Sequence, residues 1–213
     1  MSKILVIGAN GAIARILADR VLNETNHQLV LFLRNSSRLD EYQNNERVTL
    51  SEGNILNTDV LAAAMQDVDI VYSNAGGVDL GEQTKSILLA MQKAKQHRLI
   101  FISALGARHE VAGKFGDWNE KAIKDYLPGF RTSARLVDES NVVFTEVRPT
   151  WLTNNDEVDY EVTKQGESFQ GTEVSRASVA DFVLRVINEP ARYQRVSIGL
   201  NKPNTDGDKP TWL

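Results

Sequence analysis

Gly8, Gly11 and Ala14 stand three apart in KILVIGANGAIARI, residues 3–16. They follow an apolar run, Ile4 to Ile7, and open a segment with Ile13, Leu17 and Val21 on one helical side. Strand, tight turn and helix are the reading. Gly8 lets the chain leave the strand without a Cβ clash. Gly11 lets backbone approach a phosphate, and Ala14 lets the helix pack close to the strand. Free N–H groups and the helix dipole at this turn favour an anion, and a dinucleotide pyrophosphate is the expected one. The context of buried-type strand before and helix after is what this fingerprint requires.

A second group of charged and hydroxyl residues lies 23 positions on. After the apolar stretch Gln28–Leu33 comes Arg34-Asn35-Ser36-Ser37-Arg38. In dinucleotide folds an acid here binds the ribose hydroxyls of NAD, and an arginine takes the 2′-phosphate of NADP. The acid is missing and Arg34 stands in its place. Arg38 and the hydroxyls of Ser36 and Ser37 are nearby and suit a phosphate dianion. The predicted cofactor is NADP(H); a solvated basic turn is the alternative.

The elements that must position these groups alternate along the chain. Strands are predicted at Gln28–Leu33, from Arg47, at Asp69–Tyr72, Arg98–Ser103 and Asn141–Val147, with Arg195–Ile198 as a last one. Helices are predicted at Val60–Gln66, Leu80–Lys95, on a segment ending at Ser140, and at Ala177–Asn188. The intervals suit helical crossovers rather than hairpins. The fold class is α/β: a Rossmann-type doubly wound parallel sheet with helices on both faces. Residues 1–213 read as one domain, and 150–175 as a small cap on the substrate side, with Asn154–Gly171 polar and loop-like. The tail from Asn201 reads as an extended surface segment or a flexible end.

Ligands in such sheets lie beyond the carboxyl ends of the strands. Asn54 and Ile55, after the third strand, could bond and stack on adenine; a helix-entry turn is the other reading. Asn74, Ala75 and Gly76, after the fourth, let backbone run beside a ribose, or form a plain turn. The Ser103 hydroxyl, after the fifth, can face a nicotinamide and a substrate carbonyl, or cap a helix. Trp118, Trp151 and Trp212 could shape an apolar substrate pocket or serve packing.

Composition narrows the classes. The net charge is -4 over 213 residues, with no block of one sign, so no nucleic-acid or membrane partner is expected. No cysteine occurs, which excludes thiol nucleophiles and disulfides. His27, His97 and His109 are far apart, and no metal site is expected. Neither G-x-S-x-G nor G-x-x-x-x-G-K-[ST] occurs, so serine hydrolase and P-loop chemistry have no support. The N-terminus reads as a strand rather than a signal peptide, and no run reaches bilayer length. A soluble, cytoplasmic protein acting on a small molecule is expected; the fold leaves room for a helix-paired homodimer.

These motifs together resemble the atypical branch of the short-chain dehydrogenase/reductase superfamily, the NmrA-like and biliverdin-reductase-B-like proteins. The carrying stretches are GANGAIA at 8–14, LFLRNSSR at 31–38, EGNI at 52–55, SNAGG at 73–77, FISALGA at 101–107, ESNVVFTEVRPTWL at 139–152 and SRASVADFVL at 175–184. The resemblance implies that Gly8, Asn10, Gly11, Ala12 and Ile13 wrap the pyrophosphate and that Arg34 holds the 2′-phosphate. It places Asn54 and Ile55 at adenine and Asn74, Ala75 and Gly76 at the adenosine ribose. Ser103 matches a serine that helps polarise the substrate carbonyl. Arg148, before Pro149, is read as structural. One departure is important. The Tyr-x-x-x-Lys pair expected before the sixth strand is absent; its positions fall on Arg131 and Arg135. Arg135 could still bind ribose hydroxyls, but a guanidinium is a poor proton donor. Tyr126, Ser103 or water is left as the acid. The implied function is an NADPH-dependent oxidoreductase for a small carbonyl, quinone or flavin-like acceptor, or a non-catalytic NADP(H) sensor of the NmrA-like type.

Overall fold

The computed structural model describes residues 1–167 and 169–213. Its centre is an eight-stranded sheet. The strands are β1 (Lys3–Ile7), β2 (Gln28–Leu33), β3 (Val48–Glu52), β4 (Ile70–Ser73), β5 (Arg98–Ile102), β6 (Val143–Pro149), β8 (Glu161–Lys164) and β10 (Val196–Asn201). β7 (Trp151–Thr153) and β9 (Glu173–Ser175) form a separate parallel pair. The sheet order is β3-β2-β1-β4-β5-β6-β10-β8. All neighbours are parallel except β8, which runs antiparallel to β10. The order reverses between β1 and β4, so the crevice opens above their carboxyl ends.

The apolar runs are continuous because both faces of the sheet are covered. In β1, Ile4 and Val6 enter one core and Leu5 and Ile7 the other. β2 alternates likewise, with Leu29, Leu31 and Leu33 opposite Val30 and Phe32. Helices α1 (Ala12–Glu24) and α6 (Arg176–Asn188) pack together, with Leu17, Val21, Phe182 and Val183 buried in the first core. On the other face lie α2 (Thr58–Ala64), α3 (Leu80–Ala94) and α5 (Leu127–Glu139), with α3 against both neighbours. Helix α4 (Gly113–Ala122) and a 3-10 turn, Ser36–Tyr42, complete the chain. No helix among the described residues is long and apolar enough to cross a membrane.

Two expectations change here. The polar stretch 154–171 is not only a loop: Glu161–Lys164 adds an edge strand, hydrogen-bonded to Ile198–Asn201. Ser168, inside the expected cap, lies outside the described residues. The segment 113–122, given no element from sequence, is helix α4. The tail is tied down: Thr211 donates through N–H and hydroxyl to Glu173 Oε2 (3.0 and 2.9 Å), and Pro210 is buried.

Arg148 is structural, as read. It is 1% exposed on β6, donates to Ser197 Oγ at 2.7 Å and pairs with Glu110. Ser197 also donates to buried Glu146 at 2.6 Å, and Glu146 pairs with Arg108. Glu110 accepts the N–H groups of Gly106 and Arg108, so this network holds the loop that follows β5. Removing one partner of a buried pair leaves a charge uncompensated. Arg148→Met is expected to cost about 3–5 kcal/mol, or about 10 °C in Tm, read by thermal unfolding.

Candidate functional site

Two cavities meet at Asn74 and Ala75, just past β4. The first, about 820 Å³, runs from the Gly8 turn across the ends of β2 and β3. The second, about 570 Å³, lies beyond β5 and β6. Together they follow the line that an extended dinucleotide takes across a parallel sheet.

The turn between β1 and α1 is built for close approach. Gly8 has φ +73°, and a Cβ there would lie 2.9 Å from Asn74 O. Gly11 is the extended N-cap of α1, and a Cβ on it would overlap Asn74 Nδ2. Asn74 is itself fixed. Its N–H donates to Ile7 O (2.9 Å), and its Oδ1 accepts from Tyr72 Oη (3.2 Å). Burial drives the Tyr72 phenol strongly up, so it stays a neutral donor. Gly11 thus serves the packing of Asn74 beside the cavity that both residues line. Ala14 is fully buried, as expected of the residue that seats α1 on the sheet. Gly8, Asn10 and Gly11 line the first cavity, and Ala12 and Ile13 the second. Asn10 Oδ1 accepts from Arg15 Nη2 at 2.9 Å.

Arg34 and Arg38 both line the first cavity, and neither guanidinium has a hydrogen-bonding or acidic partner among the described residues. Two such cations at one end of the cleft suit a dianion. The serines behave otherwise. Ser36 donates both its N–H and its hydroxyl to Glu52 Oε2 (2.9 Å each). These two bonds hold the exposed Glu52 carboxyl below the usual carboxylate range. Ser37 donates N–H and hydroxyl to Asn35 Oδ1 (3.1 and 2.7 Å). Neither serine lines the cavity, so the expectation that Ser36 and Ser37 face the phosphate is corrected: protein acceptors take both hydroxyls.

Asn54, Ile55 and Gly76 line the first cavity, and Ala75 both. Asn54 Oδ1 accepts from Leu56 N–H (3.0 Å), the helix-entry turn read as the alternative; this bond leaves its amide N–H groups for a ligand. Gln83, on α3, donates to Gly76 O at 3.1 Å and braces that turn.

Ser103 is 3% exposed, lines the second cavity, and its Oγ has no hydrogen-bond partner among the described residues. Its backbone N–H is fixed on Val147 O (2.8 Å). A buried hydroxyl without a partner costs stability unless a ligand completes it. Tyr126, at the start of α5, is half exposed and lines the same cavity.

Arg135 is corrected. Its side chain is 60% exposed, pairs with Glu139 one turn on, and lines neither cavity. On α5 the cavity face carries Tyr126 and Phe130, and five residues of helix rotate Arg135 about 140° off it. Arg131, at the expected tyrosine position, donates to Gly106 O (3.3 Å) and pairs with Glu120. The one Tyr-x-x-x-Lys spacing in the chain, Tyr160 to Lys164, runs into edge strand β8; Tyr160 bonds Asp181 instead (2.7 Å). His109 is an exposed loop residue outside both cavities.

Sequence reasoning missed Asn119 and Arg176. Asn119 is buried on α4, donates to Leu105 O (3.2 Å) and accepts from Trp151 Nε1 (3.0 Å). Arg176 begins α6 at the cavity wall. Trp151 and Trp212 line the cavity with ring centroids 6.4 Å apart, and Trp118 packs behind Trp151 at 4.7 Å.

The fold and cleft define an open parallel α/β protein with a dinucleotide crevice. Comparison with known proteins agrees. A family model described as NAD(P)H-binding matches residues 8–190. A short-chain dehydrogenase/reductase of Veillonella parvula, solved in complex with NADP, is 30% identical, with 99% of each chain covered and a TM-score of 0.93. A Rossmann-fold NAD(P)-binding family protein of Shigella flexneri is 35% identical over 100% of both chains, with a TM-score of 0.83. Eugenol synthase 1 of Petunia hybrida is 31% identical over 112 residues, which is 49% of this chain but 36% of the synthase. The chain belongs to the NAD(P)H-binding family, as an atypical short-chain dehydrogenase/reductase on a Rossmann-type sheet.

Proposed function

We propose that the chain is an NADPH-dependent reductase of a small carbonyl, quinone or flavin-like acceptor. The observation that carries this reading is the buried Ser103 hydroxyl, without a partner among the described residues, in a second cavity that shares Asn74 and Ala75 with the first and is lined by Trp151 and Trp212. The cofactor, when bound, supplies the hydride. The first cavity holds its adenosine end, with Arg34 and Arg38 on the 2′-phosphate and the Gly8–Ile13 turn on the pyrophosphate. Ser103 donates a hydrogen bond to the acceptor oxygen and stabilises the negative charge that develops there. Tyr126, half exposed and the one phenol in the lining, delivers the proton. The acceptor lies against Trp151 and Leu152.

The test is NADPH oxidation across a panel of carbonyls, quinones and flavins. Turnover with at least one, faster with NADPH than with NADH, is the expected result. A second reading, an NmrA-like NADP(H) sensor, is favoured by one observation: Arg131 and Arg135 stand where a Tyr-x-x-x-Lys pair would. Tight NADPH binding with no turnover on the whole panel would establish that reading instead.

A further inference from the structure

Every residue lining the second cavity is neutral except Arg176. Its Nη1 donates to Leu152 O (3.3 Å), Thr153 O (3.1 Å) and Asn154 Oδ1 (2.8 Å). All three acceptors are uncharged, and no carboxylate lies within 4 Å of the guanidinium among the described residues. No protein acceptor among those residues engages Nε or Nη2. Arg47 and Arg98 are likewise held by carbonyl and hydroxyl oxygens without a carboxylate among the described residues, but neither lines either cavity, whereas Arg176 does. A positive charge held rigidly by carbonyls in an apolar wall, with no counter-ion from the protein, is poised to receive one from a ligand. The fixed Nη1 leaves the planar Nε–Nη2 edge, whose geometry matches a carboxylate, sulfonate or phosphate. Trp151, Trp212 and Leu152 in the same lining favour a flat ring.

We infer that the acceptor is a flat conjugated carbonyl compound bearing an anionic group, and that Arg176 recognises that group. This rests on the reductase reading above. The redox carbonyl lies at Ser103, and the anionic substituent reaches the start of α6. No covalent step is added: the guanidinium orients the acceptor and selects it.

The experiment compares 1,4-naphthoquinone with its 2-sulfonate as acceptors, and measures binding of anthraquinone-2-sulfonate by quenching of tryptophan fluorescence. All three tryptophans of the chain belong to one cluster at this cavity, so the quenching reports on it. The wild-type protein should prefer the sulfonated quinone in KM. Arg176→Gln should raise that KM and the anthraquinone sulfonate Kd about 30-fold, as expected for a lost charge-assisted bond, with the neutral quinone unchanged. Arg176→Lys should lose part of the effect, because it keeps the charge without the planar edge. Equal KM for the two quinones in the wild type, which needs no variant, would overturn the inference. So would Arg176→Gln weakening NADPH binding, since the guanidinium would then serve the cofactor's phosphates. Arg176-dependent binding of the anthraquinone sulfonate without reduction of either naphthoquinone would support the anion site and sink the reductase reading.

Discussion

Replacing Arg34 and Arg38 together by alanine is expected to weaken NADPH binding at least about a hundredfold while NADH binding hardly changes. Each guanidinium lines the first cavity without a protein partner among the described residues. Each can therefore give its full charge-assisted bond to the 2′-phosphate, about 1.5–3 kcal/mol apiece, and two such losses amount to two or more powers of ten. NADH carries no phosphate there and loses only weak long-range attraction. Thermal stability should hardly change, because both side chains are exposed at the loop surface. Isothermal calorimetry with both nucleotides checks the split. An equal loss for NADPH and NADH would mean that the arginines shape the loop rather than bind the phosphate.

The second large effect concerns Ser103. Ser103→Ala should lower kcat/KM for the acceptor about 100- to 1,000-fold, the range seen when one preorganised donor to a developing oxyanion is removed. Cofactor affinity should stay the same. Stability should hold or rise, because the variant removes a buried hydroxyl that has no partner among the described residues. That pairing of lost turnover with retained stability separates a catalytic serine from a packing one. Tyr126→Phe should have a smaller effect, since its half-exposed position lets water replace the phenol. A Ser103→Ala protein with wild-type kcat/KM would remove the serine from the chemistry.

The sheet was legible because its strands are buried on both faces. Apolar runs such as Ile4–Ile7 and Leu29–Leu33 need no distant contact to be read, and the turn at Gly8 follows from local geometry. Helix α4 was not legible. GKFGDWNEKA carries two glycines and only Phe115 and Trp118 as large apolar residues, and its place comes from contacts with Trp151 and the loop after β5. Strand β8 has one buried residue in four, Thr163, and reads as loop until β10 pairs with it. The first cavity is lined by residues just past consecutive strands, which position alone predicts. The second is lined by Asn119, Trp151, Arg176 and Trp212 among others, brought together only by the fold. Arg135 was misplaced because counting along the helix gives no rotation relative to the cleft. Ser36 and Ser37 were misassigned because Glu52 and Asn35 compete for their hydroxyls.

A crystal structure of the NADPH complex decides the matter. The expected result is the 2′-phosphate between Arg34 and Arg38, the pyrophosphate on the Gly8–Ile13 turn, and the nicotinamide C4 facing the cavity lined by Ser103 and Trp151. A nicotinamide outside that cavity, or a 2′-phosphate touching neither arginine, would contradict it.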